Sequence, residues 1–292
     1  QAGWMSQTFK SMRAYTEHCR MKEKAVHLLF HPLSDGGLGM HIMSQYKDAL
    51  HVLDMGVSRH ACSNVLWLLC YPDVLGDGRT PTDNMAQVWE EIGDLYRRRG
   101  TSSQFSYVSL SSFCDPQRPR ADYPLLGGKG AEIRHLVPIL LTIWQKYARD
   151  QNRYEQHVLQ VLTRLNDMYV AMDYTVNGLH PFHLPTAVAQ KMLTDAEACL
   201  QHWSLLSRLS LERNIKLWHV VPKHHYLWHL AEEAMHLNPR MSWCYANEDF
   251  VGKLATLGMS TRHGQAAAYR SKQLVEKYIL GITLRMFHSL LC

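Results

Sequence analysis

Four successive stretches between residues 82 and 214 repeat apolar side chains at three- and four-residue steps, and this rhythm constrains the fold more than any other feature. In TDNMAQVWEEIGDLYRRRG (82–100), Met85, Val88, Trp89, Ile92, Leu95 and Tyr96 share one face, a Thr or Asp caps the start, and three arginines precede Gly100. The pattern predicts an amphipathic helix with a basic C-terminus. EIRHLVPILLTIWQKYARD (132–150) is more apolar and predicts a deeply buried helix, with Pro138 kinking it or marking its first turn. Residues 153–174 place Tyr154, Val158, Val161, Leu165, Tyr169 and Met172 on one face, and 186–214 continue the same period, so these two predict antiparallel helices. Further helices are expected at 223–237, stopped by Asn238-Pro239, and at 264–289. Little remains for strands: only 103–113 and 215–221 offer short extended candidates, and loops are expected at 31–40 and 114–130.

With 292 residues, 46% of them hydrophobic, the chain can bury a sizeable core. Its longest apolar runs, at 136–144 and around 64–71, are far too short to span a bilayer. The start lacks Met and any basic-then-apolar signal pattern, and reads as an internal cut. Seven scattered cysteines with no C-x-x-C pair argue against a disulfide framework and against a cysteine-built zinc site, and point to a reducing compartment. The net charge of +5 tolerates a polyanion but is milder than that of a dedicated nucleic-acid arm. Eighteen histidines are the more unusual count, since imidazoles titrate near neutrality and bind metals.

Three clusters could carry chemistry. In DALHVLDMGVSRH (48–60), Asp48 and His51 stand at D-x-x-H spacing with Asp54 and His60 beyond. A carboxylate there can hold a hard divalent ion, or it can cap the helix that follows, with His51 packed against it. In PKHHYLWHLAEE (222–233), His225 and His229 are four apart, so both rings project from one helix face, where they can bind a metal, position a phosphate or line the rim of the core. A zinc-peptidase helix would need Glu immediately after the first histidine, where this chain has Tyr226. In WCYANEDFVGKLATLG (243–258), Glu248 and Asp249 open a helix whose dipole they complement, which needs no metal. LLGGKGAEIRHL (125–136) lacks the phosphate-loop pattern. Arg97, Arg98, Arg99, Arg118, Arg120, Lys129 and Arg134 could instead contact a nucleic-acid backbone, or form a solvated face.

In this order, DALHVLDMGVSRH, GKGAEIRHLVPILL, HHYLWHL and ANEDFVGKL resemble the blocks of CACTA-type cut-and-paste DNA transposases and their Kyakuja, Dileera and Zisupton relatives, across about residues 45–285. The resemblance implies an RNase H-like domain in which three acids hold two Mg2+ or Mn2+ ions for strand cleavage and transfer. It makes Asp48 the second acid and Glu248 the third, with Asp249 as fallback, and assigns His51, His225 and His229 to supporting roles. The first acid is not identified; Asp35, the sole acid in HPLSDGGLG, sits in a glycine loop. The fold class expected is mainly α: a helical insertion plus the remnant of an RNase H-like α/β core with few short strands. The expected divisions are 1–125 and 216–292 for the core regions and 126–215 for the insertion. DNA is the partner implied, contacted by Arg97, Arg98, Arg99, Lys129 and Arg134, with a homo-oligomer, no membrane and an intracellular, nuclear location. The rival expectation is a helical DNA- or protein-binding module with no chemistry.

Overall fold

The computed structural model describes residues 46–71, 79–260, 272–273 and 275–280, apart from the side chains of 246–250, 254, 258 and 260. By its contacts the chain divides into two compact units, Gln1–Trp243 and Cys244–Cys292.

In the first unit a π-helical segment, Leu50–Ser58, runs directly into α1 (Arg59–Cys70). Then follow α2 (Pro81–Arg99), α3 (Gly130–Tyr147), α4 (Arg153–Met172), α5 (Thr186–Glu212) and α6 (Pro222–Glu233). Short 3-10 turns lie at Leu110–Ser112 and Pro239–Met241. The ends are set locally. The Thr80 hydroxyl accepts from the Asp83 N–H at 3.2 Å while the Asp83 carboxylate accepts from the Thr80 N–H at 3.2 Å, and Pro81 fills the first helical position of α2. Gly100, at φ 60°, closes that helix in the left-handed conformation. Asn152 caps α4, its side-chain oxygen accepting from the N–H groups of Tyr154 (3.1 Å) and Glu155 (3.3 Å). Pro138 lies inside α3, beyond the first turn, and its carbonyl accepts from the Thr142 hydroxyl at 3.0 Å.

The predicted antiparallel pairing is α4 against α5. Tyr154 meets Ser210 at 2.9 Å, His157 meets His202 at 3.1 Å, and Arg164 meets Asp195 at 3.1 Å, so positions rise on one helix as they fall on the other. One apolar cluster runs from Ala49 to Ala234 and takes side chains from the π segment and from α1 to α6. Residues 126–215, expected as an insertion, share that core with the segments before and after them. The thiols of Cys62, Cys70, Cys114 and Cys199 are free.

Neither expected strand forms, and the pairing found among the described residues is an isolated bridge between Val176 and Leu179. In 103–113, Phe105 and Val108 plug the core while Tyr107 stays outside with its ring edge-on to Trp89 at 5.6 Å, and among the described residues no strand runs beside them. In 215–221, Trp218 is fully buried at φ 56°, a backbone state no strand residue adopts. Its indole N–H donates to the Tyr154 hydroxyl at 2.9 Å, and its carbonyl accepts from the Trp203 indole at 3.1 Å. Alternating apolar residues here anchor a loop, because burial needs only a core beneath, whereas a strand also needs a partner for its backbone groups.

The second unit contains α7 (Tyr245–Ser260) and a helical run at 275–280. Most of the helix expected at 264–289, the loop at 31–40 and Asp35 lie outside the described residues. Among the described residues no helix is long and apolar enough to cross a membrane.

Candidate functional site

The D-x-x-H block builds the π-helical segment. Wide π turns are rare and concentrate where a fold needs an irregular helix. Asp48 starts it as a cap: Oδ1 accepts from the Leu50 N–H at 3.0 Å and Oδ2 from the His51 N–H at 3.3 Å. The His51 ring Nδ1 closes on the same Oδ2 in a short contact. At Gly56 the backbone leaves helical geometry (φ −103°, ψ −105°), and a Cβ there would stand 2.8 Å from Lys223 Cδ and 2.9 Å from the His51 carbonyl oxygen. Glycine therefore lets the stem of a lysine on α6 cross this segment at close range.

α6 is held against the π segment at both ends. Lys223 Nζ donates to the Met55 carbonyl at 3.2 Å. At the other end Glu233 takes the Lys47 N–H at 2.7 Å and its ammonium at 2.9 Å, although the two residues lie 186 positions apart in the chain. The D-x-x-H block and the H-x-x-x-H block are thus neighbours in space.

On α6, His225 and His229 turn their Nε2 atoms to within 3.1 Å of each other, with ring centroids 4.4 Å apart. His229 is buried, and its Nδ1 lies 3.3 Å from the Glu232 carboxylate. Burial, then the neighbouring His225 and Lys47, lower the His229 pKa to about 4, so this ring is neutral at pH 7. Two converging imidazole nitrogens backed by a carboxylate can share a proton or grip a cation that prefers nitrogen.

Behind the block lies a polar knot. Asp54 is fully buried; the Tyr169 hydroxyl donates to its Oδ1 at 2.7 Å and lies 2.8 Å from Ser58 Oγ. Burial, then the Asp54 charge, push the Tyr169 pKa well above its ordinary value. The Arg134 guanidinium lies over the Tyr169 ring at 4.7 Å and pairs with Asp173 at 2.7 Å. Arg134 and Arg240 both face the Trp243 ring, at 5.2 Å and 4.1 Å. These groups fix the π segment to α3 and α4.

No family model, curated protein or solved structure matches the chain.

The expected DNA-contacting residues divide. Arg97, Arg98 and Arg99 are exposed at the end of α2, where they also complement its C-terminal dipole, and Arg99 reaches Thr142 at 2.9 Å. Lys129 is exposed at the start of α3. Arg134 is a correction: only 8% exposed, it is held by Asp173 and Tyr169 and presents no charge to a phosphate backbone. It lies on the buried face of α3, where a cation must be paired. Glu248 and Asp249 fall on α7, with side chains outside the described residues.

Sequence reasoning missed a row of histidines at the start of α6. His60 and His219 meet edge-on at 4.9 Å, Tyr123 lies 4.2 Å from His219, and His224 packs 4.4 Å from Trp203. Burial, then the neighbouring His219, His224, Arg59 and Lys223, lower the His60 pKa to about 4; burial above all does the same to His224. Only the unusual histidine count hinted at them, because the three come from separate segments.

Proposed function

We propose that this chain is a transposase-derived DNA-processing domain, with the D-x-x-H segment and the H-x-x-x-H helix forming one wall of its site. The observation that supports this reading is their direct packing, clasped by Lys47 and Glu233 across 186 positions, as blocks of one site must be. The exposed arginines at the end of α2 supply a surface for a polyanion. On this reading the partner is DNA, the location nuclear, and residues 1–125 and 216–292 the remnant of an RNase H-like core around the 126–215 insertion.

The Mg2+ or Mn2+ that this ancestry implies fits the described donors poorly. Hard ions want six or more oxygen ligands. Asp48 already gives Oδ1 to one backbone N–H, and Oδ2 to a second N–H and to the His51 ring. The other nearby donors on α6 are the imidazoles of His225 and His229 and two carboxylates already engaged, Glu232 with His229 and Glu233 with Lys47. The metal-holding role of Asp48, Glu248 and Asp249 therefore rests on the resemblance. The same capping geometry favours a second reading, a helical DNA- or protein-binding module without chemistry.

Nicking of supercoiled DNA with Mn2+ separates the two. The first reading expects nicking by the full chain that is lost in Asp48→Ala and in Glu248→Ala, with folding retained in both. Salt-dependent DNA binding without nicking supports the module. DNA affinity that ignores salt, or no DNA binding at all, overturns the phosphate-contact surface.

A further inference from the structure

We infer that His225 and His229 form a binding site for a borderline divalent transition-metal ion, such as Zn2+ or its Co2+, Ni2+ and Cu2+ counterparts. Helical i, i+4 spacing sends both rings off one face of α6, and the structure brings their Nε2 atoms to 3.1 Å. With Zn–N bonds of about 2.0–2.1 Å, a tetrahedral centre has an N···N edge of about 3.3–3.4 Å. The pair needs to open by only a few tenths of an ångström to admit the ion between its lone pairs.

Three further features of the surroundings support a cation here. The Glu232 carboxylate stands 3.3 Å from His229 Nδ1, where it accepts that N–H and leaves Nε2 with its lone pair turned toward His225. The Lys47 ammonium, whose charge bears on His229, is already paired with Glu233 at 2.9 Å. His229 is buried while His225 is half-buried, so one ring is held in the core and the other reaches toward the surface. Imidazole nitrogen selects borderline ions over Mg2+, which keeps its oxygen shell. The two remaining positions on a tetrahedral ion are open to water or to a ligand. The site stands on the geometry of α6 alone and does not depend on the transposase reading.

The experiment is a competition titration of the chelator-stripped full chain with Zn2+, using a chromophoric zinc chelator, alongside the d–d absorption of bound Co2+. His225→Gln changes the half-buried partner, and His157→Gln changes a histidine pair elsewhere. Circular dichroism melts verify that both variants fold. The expected result is a Zn2+ site that His225→Gln weakens at least ten- to a hundredfold, that Glu232→Gln weakens by about tenfold or more, and that His157→Gln leaves unchanged. Zn2+ affinity untouched by His225→Gln, equal losses in His225→Gln and His157→Gln, or displacement of Zn2+ by millimolar Mg2+ would each overturn the assignment.

Discussion

Asp48 and Asp54 stand six positions apart in one segment and meet opposite fates. Asp48 lies at the rim, its side chain 24% exposed, and its oxygens satisfy the first N–H groups of the π turn. Asp54 is fully buried, bonded to Tyr169 and close enough to Arg134 to strengthen that group's hold on its proton. A carboxylate at a helix start is cheap because water and backbone donors share it. A carboxylate in the core survives only with donors and a countercharge arranged around it. The D-x-x-H spacing draws the eye to the first acid, while the fold depends more on the second.

The contrast can be broken by substitution, starting with the largest effect. Asp54→Ala should cost about 3–5 kcal/mol of stability, since it takes one countercharge from the buried Arg134, leaving Asp173, and leaves the Tyr169 hydroxyl with Ser58; urea unfolding within 1 kcal/mol of the parent would show that the knot is dispensable. Tyr169→Phe removes one donor from the buried carboxylate and should cost about 1–3 kcal/mol by the same measurement. A pH series tests a third group on this stretch, His60. Its folded pKa, about 4, lies below the unfolded value of 6.5, so the unfolded chain binds more protons between these limits. The share of stability carried by His60 should therefore fall as pH drops from 6.5 toward 4, by less than about 1.4 kcal/mol per pH unit because the ring is partly exposed, alongside losses of the same sign at His224 and His229. His60→Phe should flatten that slope. Asp48→Ala should cost only about 1 kcal/mol, the worth of a helix cap; a loss as large as that of Asp54→Ala would erase the distinction between the two acids.

The two histidine pairs carry the same lesson. His157 and His202 are also 3.1 Å apart, but they bridge α4 and α5, and burial followed by Arg153 or by His157 and Arg164 lowers their proton affinity. His225 and His229 have a carboxylate behind them. Equal separations thus sit in unlike fields, which is why His157→Gln serves as the control for metal binding.

Much of the helical body is legible in the residues themselves. The 3.6-residue period and Gly100 mark helices and ends that the structure places within a few positions, with α2 capped by Thr80, two residues before the start expected at 82. These signals are local, since caps and amphipathic faces depend on neighbours a few residues away. The strands expected at 103–113 and 215–221 fail because alternation reports burial without reporting a partner. Of the candidate site, the i, i+4 histidines are legible for the same local reason. The burial of Arg134, the row formed by His60, His219 and His224, and the closure of Lys47 on Glu233 are not.

The sequence by itself determined that this chain is mainly helical, where most of its helices begin and end, and which faces they bury. Tertiary structure alone decided which polar groups meet: Asp54 with Tyr169, Arg134 with Asp173, and the π segment with α6. The physical reason is range. Helix periodicity and capping act over one or two turns, whereas a buried charge finds its partner only after the apolar faces have packed and brought distant segments within hydrogen-bonding reach.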